Sequence, residues 1–347
     1  MEQRQLGTSD IMVSQICLGT MTWGRQNTQD QAFEQMDYAV SRGINFFDTA
    51  EMYAVPPNQD TYGKTEEIIG HWFTARPGMR PKIILASKII GPGDFFHYVR
   101  GGKTRFDRTH IREALDGSLR RLQTDYIDLY QLHWPQRRVN SFGQMDYVHD
   151  PERDGTPLLE TLEALQDEVK AGRIRQVGLS NDTPWGVMEF LRLSEKHNLP
   201  RMQSVQNPYN LVNRLYEIGL AEVSIRAQCG LLAYSPLGGG SLSGKYLNGV
   251  PAGSRWDVDE RPFNRYQNDR CRAATRDYVE LAIKHGFDPC QMALAFVNAQ
   301  NFVTSNIIGA TTMEQLKINI DSVDMTLPPD VMVGIQTIHN QNPNPAP

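Results

Sequence analysis

A chain of 347 residues with 40% apolar and 22% charged residues has the make-up of a soluble globular protein, not of a disordered one. Its net charge of -5 argues against an electrostatic nucleic-acid binder, and no apolar run approaches the roughly eighteen residues that membrane insertion needs. The polar start MEQRQLGTSD lacks a signal-peptide core, and Cys17, Cys229, Cys271 and Cys290 are scattered without CxxC spacing, so reduced thiols in a cytoplasmic setting are expected.

MEQRQLGTSDIMVS is expected to form a hairpin that plugs the bottom of the fold. ICLGT (16–20) reads as a strand. The next stretch carries Phe33, Met36, Ala39 and Val40 at helical spacing and stops at Gly43. INFFD (44–48) is a strand, KTEEIIGHWF (64–73) a helix and IILASK (83–88) a buried strand. Asp107 caps a helix that runs to Leu122, with Ile111, Leu115 and Leu119 along one face. YIDLYQLH (126–133) is a strand, and 158–171 a helix closed by Gly172. IRQVGLS (174–180), QSVQN (203–207) and GLLAYS (230–235) are strands, alternating with helices over 185–197 and 213–227. Helices between 271 and 299, a strand NIIG (306–309) and a helix over 313–323 complete the series. Residues 340–347, NQNPNPAP, read as a flexible tail.

Eight strand–helix repeats call for a closed (β/α)8 TIM barrel, here one α/β domain over 1–347. The segments 91–106, 135–157 and 236–268 exceed ordinary loop length. They follow barrel strands, so they should lie on the C-terminal face where barrel sites are built.

The strand ends then carry Asp48 (with Tyr53 on its loop), Lys88, His133, Ser180-Asn181, Gln206-Asn207 and Tyr234-Ser235. Each has an ordinary reading alone: a turn-forming Asp, a loop aromatic, a snorkelling amine, a satisfied structural histidine. Four such groups converging on one mouth are more specific than any of them. An ammonium beside a phenol favours phenolate and so should lower the phenol's pKa. Asp48 would hold Lys88, Tyr53 would act as the acid, and His133 would polarise a carbonyl. One histidine without an HxH or HExxH partner fits a metal site poorly. A protonated carbonyl needs a hydride, which a nicotinamide supplies. GxGxxG is absent, so barrel loops would bind it: Ser180, Asn181 and Gln206 on the carboxamide, Tyr234 stacked on the ring, and GGGSLSGKY (238–246) with Lys245 at the pyrophosphate. That segment misses the phosphate-loop pattern at Tyr246. Arg255, Arg261 and Arg265 fall close together.

GTMTWG, FFDTAEMY, LASK, LYQLHWPQ, VGLSN, QNPYN, YSPLGGGSLSGKY and GATTMEQLKINI together resemble the aldo-keto reductases over nearly the whole chain, notably the branch containing potassium-channel β subunits. The resemblance implies an NADPH-dependent reductase of small-molecule carbonyl substrates, with a tetrad of Asp48, Tyr53, Lys88 and His133 and no metal. It also implies a cofactor set of Gly19, Thr20, Met21, Asp48, Ser180, Asn181, Gln206, Tyr234, Ser235, Pro236, Leu237, Gly239, Leu242, Gly244, Lys245, Arg255, Gly309, Thr311, Gln315 and Asn319. Arg255 stands where relatives place an arginine on the 2'-phosphate. Thr311-Thr312 departs from the basic or serine-containing pair of some relatives, and AVPPNQDT (54–61) is inserted after the tyrosine. A cofactor-binding regulatory protein with slow turnover is the alternative, and a homo-oligomer stays open. Trp23, Tyr62, Phe95 and Trp134 are candidates for an aromatic pocket.

Overall fold

In the computed structural model, which describes residues 1–93, 96–258 and 265–347, eight parallel strands close on themselves. A hairpin precedes them, with β1 (Gln3–Gln5) antiparallel to β2 (Met12–Ser14). The barrel strands are β3 (Ile16–Gly19), β4 (Phe46–Asp48), β5 (Ile84–Ile89), β6 (Ile127–Leu132), β7 (Ile174–Ser180), β8 (Met202–Pro208), β9 (Gly230–Tyr234) and β10 (Val303–Ile308). They pair in chain order, and β10 closes onto β3. The expected (β/α)8 barrel is the observed one.

Helices return the chain between strands and bury their apolar stripes against the outside of the barrel. Short polar residues start several of them. Thr28, Asp107, Thr183, Asn268, Asp288 and Thr312 each accept a hydrogen bond from an amide of the first turn. Among the described residues no helix is long and apolar enough to cross a membrane.

The structure corrects two expectations. The helix read over 213–227 is a short 3-10 turn, Leu215–Glu217, followed by a helix at Leu220–Ala227. Gly219 separates them at φ 104°, a conformation that only glycine adopts readily. The flexible tail is instead docked. Residues 340 and 341 end a helix, Pro329–Gln341, whose Val331 and Ile335 are buried. Beyond it the Arg214 amide donates to Asn344 Oδ1 at 2.6 Å, the Ala346 amide donates to the Val212 carbonyl at 3.1 Å, and Ala346 is fully buried.

The barrel interior is layered. Leu6, Ile11 and Val13 of the hairpin region pack against Cys17, Phe46, Ala86, Leu129, Leu232 and Ile307 in one apolar cluster. The hairpin therefore plugs the bottom, as its sequence suggests. Two residues further along each strand the side chain returns to the same face. Those positions are Gly19, Asp48, Lys88, Gln131, Tyr234 and Gly309. An apolar floor thus lies directly beneath a polar layer.

Candidate active site

Asp48, Lys88 and Gln131 end up together because β4, β5 and β6 are neighbours in register. Asp48 pairs with Ala86, and Lys88 with Gln131. Lys88 is fully buried and reaches Asp48 Oδ2 at 2.6 Å. It also donates to the Thr49 carbonyl at 2.8 Å and to the Tyr53 hydroxyl at 3.3 Å. The second carboxylate oxygen accepts from Gln206 at 2.8 Å and from Gln131 at 3.2 Å. Thr20 donates to the Asp48 carbonyl at 2.8 Å, fixing the strand end. The His133 ring meets the Tyr53 ring edge-on at 5.8 Å. Asn181 donates to the His133 carbonyl at 2.9 Å, which ties β7 to the same mouth.

Burial sets the protonation states. Burial pushes Tyr53 up most strongly, and the Lys88 ammonium beside it, which pulls the other way, does not fully offset that; Asp48 adds to the rise, while Arg255 lowers it further away. The phenol therefore sits above its ordinary value. In sequence the ammonium looks like the dominant influence, which predicts the opposite direction; desolvation wins here. Burial alone would lower Lys88, but Asp48 and Tyr53 outweigh it and hold the amine charged. Burial, then Lys88, drives His133 well below its usual value, so its imidazole is neutral at neutral pH. Its Nδ1 is buried with no hydrogen-bond partner among the described residues.

Around this centre the strand ends bond to one another. Ser180 Oγ donates to the Gln206 carbonyl at 2.9 Å, and Tyr234 Oη donates to Asn181 Oδ1 at 2.7 Å. Arg265 donates to Tyr234 Oη at 3.3 Å, so that hydroxyl is engaged as donor and as acceptor. After β9 the chain turns through Gly238–Ser243, with Gly239 and Gly240 at φ 64° and 93°. A Cβ on Gly240 would lie 3.4 Å from the Lys245 stem. The Tyr246 and Trp256 rings stack in parallel at 3.8 Å. Their sequence neighbours are Lys245 and Arg255. Tyr246 Oη, Ser254 Oγ and Trp256 Nε1 are buried there without a hydrogen-bond partner among the described residues. Across the mouth the Thr311 amide and hydroxyl donate to Gln315 Oε1, and Asn319 donates to the Gly309 carbonyl at 3.1 Å. Thr312 caps the helix Met313–Asp321.

The aldo/keto reductase family model matches residues 15–340. The chain is 49% identical to Protein tas of Escherichia coli over the full length of both. It is 34% identical to the uncharacterized oxidoreductase YrpG of Bacillus subtilis, covering 96% of this chain and 94% of that one. It is 37% identical to an aldo-keto reductase of Babesia bovis over 69% of this chain and 88% of the relative. The chain belongs to the aldo/keto reductase family. It is thus an oxidoreductase by class, and it sits with the Tas-like members.

Several aromatic candidates of this aldo/keto reductase fall out differently. Trp23 is fully buried in the outer core and donates to Gln35 at 2.9 Å, so it lines no pocket. Phe95 and Arg261 lie outside the described residues. Trp134 is half-buried, with its ring 5.2 Å from that of His133 and its indole N–H donating to the Pro92 carbonyl at 3.0 Å. Sequence reasoning missed Gln131. Its position two residues before His133 on one strand was the available signal. Among the described residues no group of three or more His, Cys, Asp or Glu is placed to hold a metal ion.

Proposed function

We propose that this aldo/keto reductase is a cytoplasmic enzyme that reduces aldehydes or ketones to alcohols with NADPH. The observation that carries the reading is a single cluster: Lys88 lies within hydrogen-bond reach of both Asp48 and the Tyr53 hydroxyl, with the His133 ring against the phenol.

A nicotinamide bound here would supply the hydride for the carbonyl carbon. Tyr53 gives its proton to the carbonyl oxygen, which completes the alcohol. Lys88 stays charged and stabilises the phenolate left behind. Asp48, held by Gln131 and Gln206, keeps the ammonium on station. Neutral His133 donates to the carbonyl oxygen and orients it. The proposed binding residues fit a dinucleotide. Tyr234 offers a flat ring whose hydroxyl is held by Asn181 and Arg265, the positive-φ turn at Gly239 and Gly240 would admit a close ligand, and Lys245 and Arg255 would meet its phosphates, with Tyr246 Oη, Ser254 Oγ and Trp256 Nε1 in the same segment unpartnered among the described residues.

The test is NADPH oxidation with 4-nitrobenzaldehyde or methylglyoxal. Turnover that is lost in Tyr53→Phe supports the assignment. Equal activity of wild type and variant sinks it. Tight NADPH binding without turnover on a broad carbonyl panel moves the protein to a cofactor-binding regulatory role.

A further inference from the structure

Glu51 lies between Asp48 and Tyr53 in sequence, and it is fully buried. A carboxylate at that depth needs compensation. Donors from three parts of the chain provide it. Arg100 grips it in two-pronged fashion, Nη1 to Oε2 at 2.7 Å and Nη2 to Oε1 at 2.8 Å. The Ile90 amide donates to Oε1 at 2.6 Å, and the Tyr62 hydroxyl donates to Oε2 at 2.8 Å. Burial opposes the charged form, but Arg100 and the Ile90 amide outweigh it and hold the carboxyl below its usual range.

These donors flank the tetrad. Ile90 is two residues past Lys88, and Glu51 is two residues before Tyr53. The Glu51 amide also donates to the Lys88 carbonyl at 3.2 Å. Arg100 comes from the long segment after β5. One carboxylate therefore fastens the backbone that carries the phenol, the backbone that carries the ammonium, and, through Arg100, the segment after β5.

Rings from three strand-end segments pack in a row: Tyr62 after β4, Phe96 and Tyr98 after β5, and His133 and Trp134 after β6. His133 meets Trp134 at 5.2 Å, Trp134 meets Phe96 at 6.3 Å, Phe96 meets Tyr98 at 6.0 Å, and Tyr98 meets Tyr62 at 5.9 Å. Tyr62 ends on Glu51. The arc thus starts at His133 and returns to the loop of Tyr53, and Glu51 neutralises Arg100 within it.

We propose that the Glu51–Arg100 pair is a positioning device: it holds Tyr53 against Lys88 and closes an aromatic arc that favours flat, apolar carbonyl substrates over small ones. The proposal rests on the reductase reading above. Neither residue touches the reacting atoms. Both act through Tyr53 and through the rings of Phe96, Tyr98 and Trp134.

The experiment uses the full chain with Glu51→Gln, which keeps an acceptor for Ile90 but loses its charge, and Arg100→Met. Wild type is expected to show a lower KM for 4-nitrobenzaldehyde than for methylglyoxal. Per bound NADPH, each variant should lose about ten- to a hundredfold in kcat, the order expected from a small misplacement of a reacting group. KM should rise at least about fivefold more for the aromatic aldehyde than for methylglyoxal, and NADPH Kd should stay within about twofold. Arg100→Lys, which keeps the charge, should recover part of kcat. Amide exchange followed by mass spectrometry, read on the same proteins, should show residues 49–62 and 88–93 losing protection together while β7 and β8 keep theirs. Unchanged kcat and KM in both variants overturn the proposal, as does loss of protection in one segment without the other. If wild type binds NADPH and reduces no carbonyl, the reductase reading fails instead, and the exchange pattern still decides whether the two segments are coupled through this pair.

Discussion

Lys88 reaches Asp48 at 2.6 Å inside the barrel, with side-chain exposures of 0% and 4%. A pair this deep pays a large desolvation cost for both charges, so its presence says little about net stability. Breaking it is another matter, because the surviving charge is stranded. Lys88→Met should destabilise the protein by about 3–5 kcal/mol and abolish carbonyl reduction. Adding Asp48→Leu should restore much of the stability and none of the activity. Denaturant unfolding beside NADPH oxidation checks both halves.

Tyr53→Phe removes the proposed acid and keeps the ring that packs on His133. The expected loss in kcat is about 10²–10⁴-fold. NADPH affinity, measured by fluorescence titration, should hardly move.

The pH behaviour follows from the directions of the shifts. Tyr53 is raised by burial, so the phenol keeps its proton through the neutral range. The kcat/KM of reduction should be flat across neutral pH and fall only on the alkaline side, beyond about pH 10 where a free phenol ionises. His133 is lowered by burial and then by Lys88, so the unfolded chain binds its proton more readily. Stability from this group is fully present above the unfolded value of about 6.5 and is lost as pH falls below it towards the folded value. Thermal melts of wild type should decline below that point more steeply than those of His133→Gln.

Lys245 and Arg255 are the sequence neighbours of the stacked rings of Tyr246 and Trp256. If they meet phosphate groups of NADPH, Arg255→Ala should weaken NADPH by about ten- to a hundredfold, the scale of a charge-assisted contact, and leave NADH nearly unchanged. Lys245→Ala should weaken both. Titrations at two salt concentrations should show the wild-type advantage for NADPH shrinking as salt rises.

Period and punctuation were enough to read the barrel. Alternation placed Asp48, Lys88 and His133 on strand ends facing one mouth, and capping residues such as Asp107 marked helix starts. What escaped were features without a local signature. Arg100 sits in an aperiodic loop, and nothing in its neighbours points to a carboxylate forty-nine positions away. Trp23 looks like a rim aromatic in sequence, yet it is buried by the outer helices. The helix Pro329–Gln341 did carry a signal, with Pro329 at its first position and Val331, Ile335 and Ile338 at helical spacing, but a proline-rich end masked it. The direction of the Tyr53 shift was unreadable because it depends on how completely the fold removes water, a quantity that side-chain identities do not contain.

The four donors gathered by Glu51 have a consequence for engineering. The segment after β5 cannot be exchanged as an independent cassette. A transplanted loop lacking a guanidinium at the place of Arg100 would leave the Glu51 carboxylate entombed two residues before Tyr53, and by the proposed role of the pair the graft would lower turnover on every substrate before it altered preference for any. Redesign of selectivity here begins with the pair and extends outward to the rings.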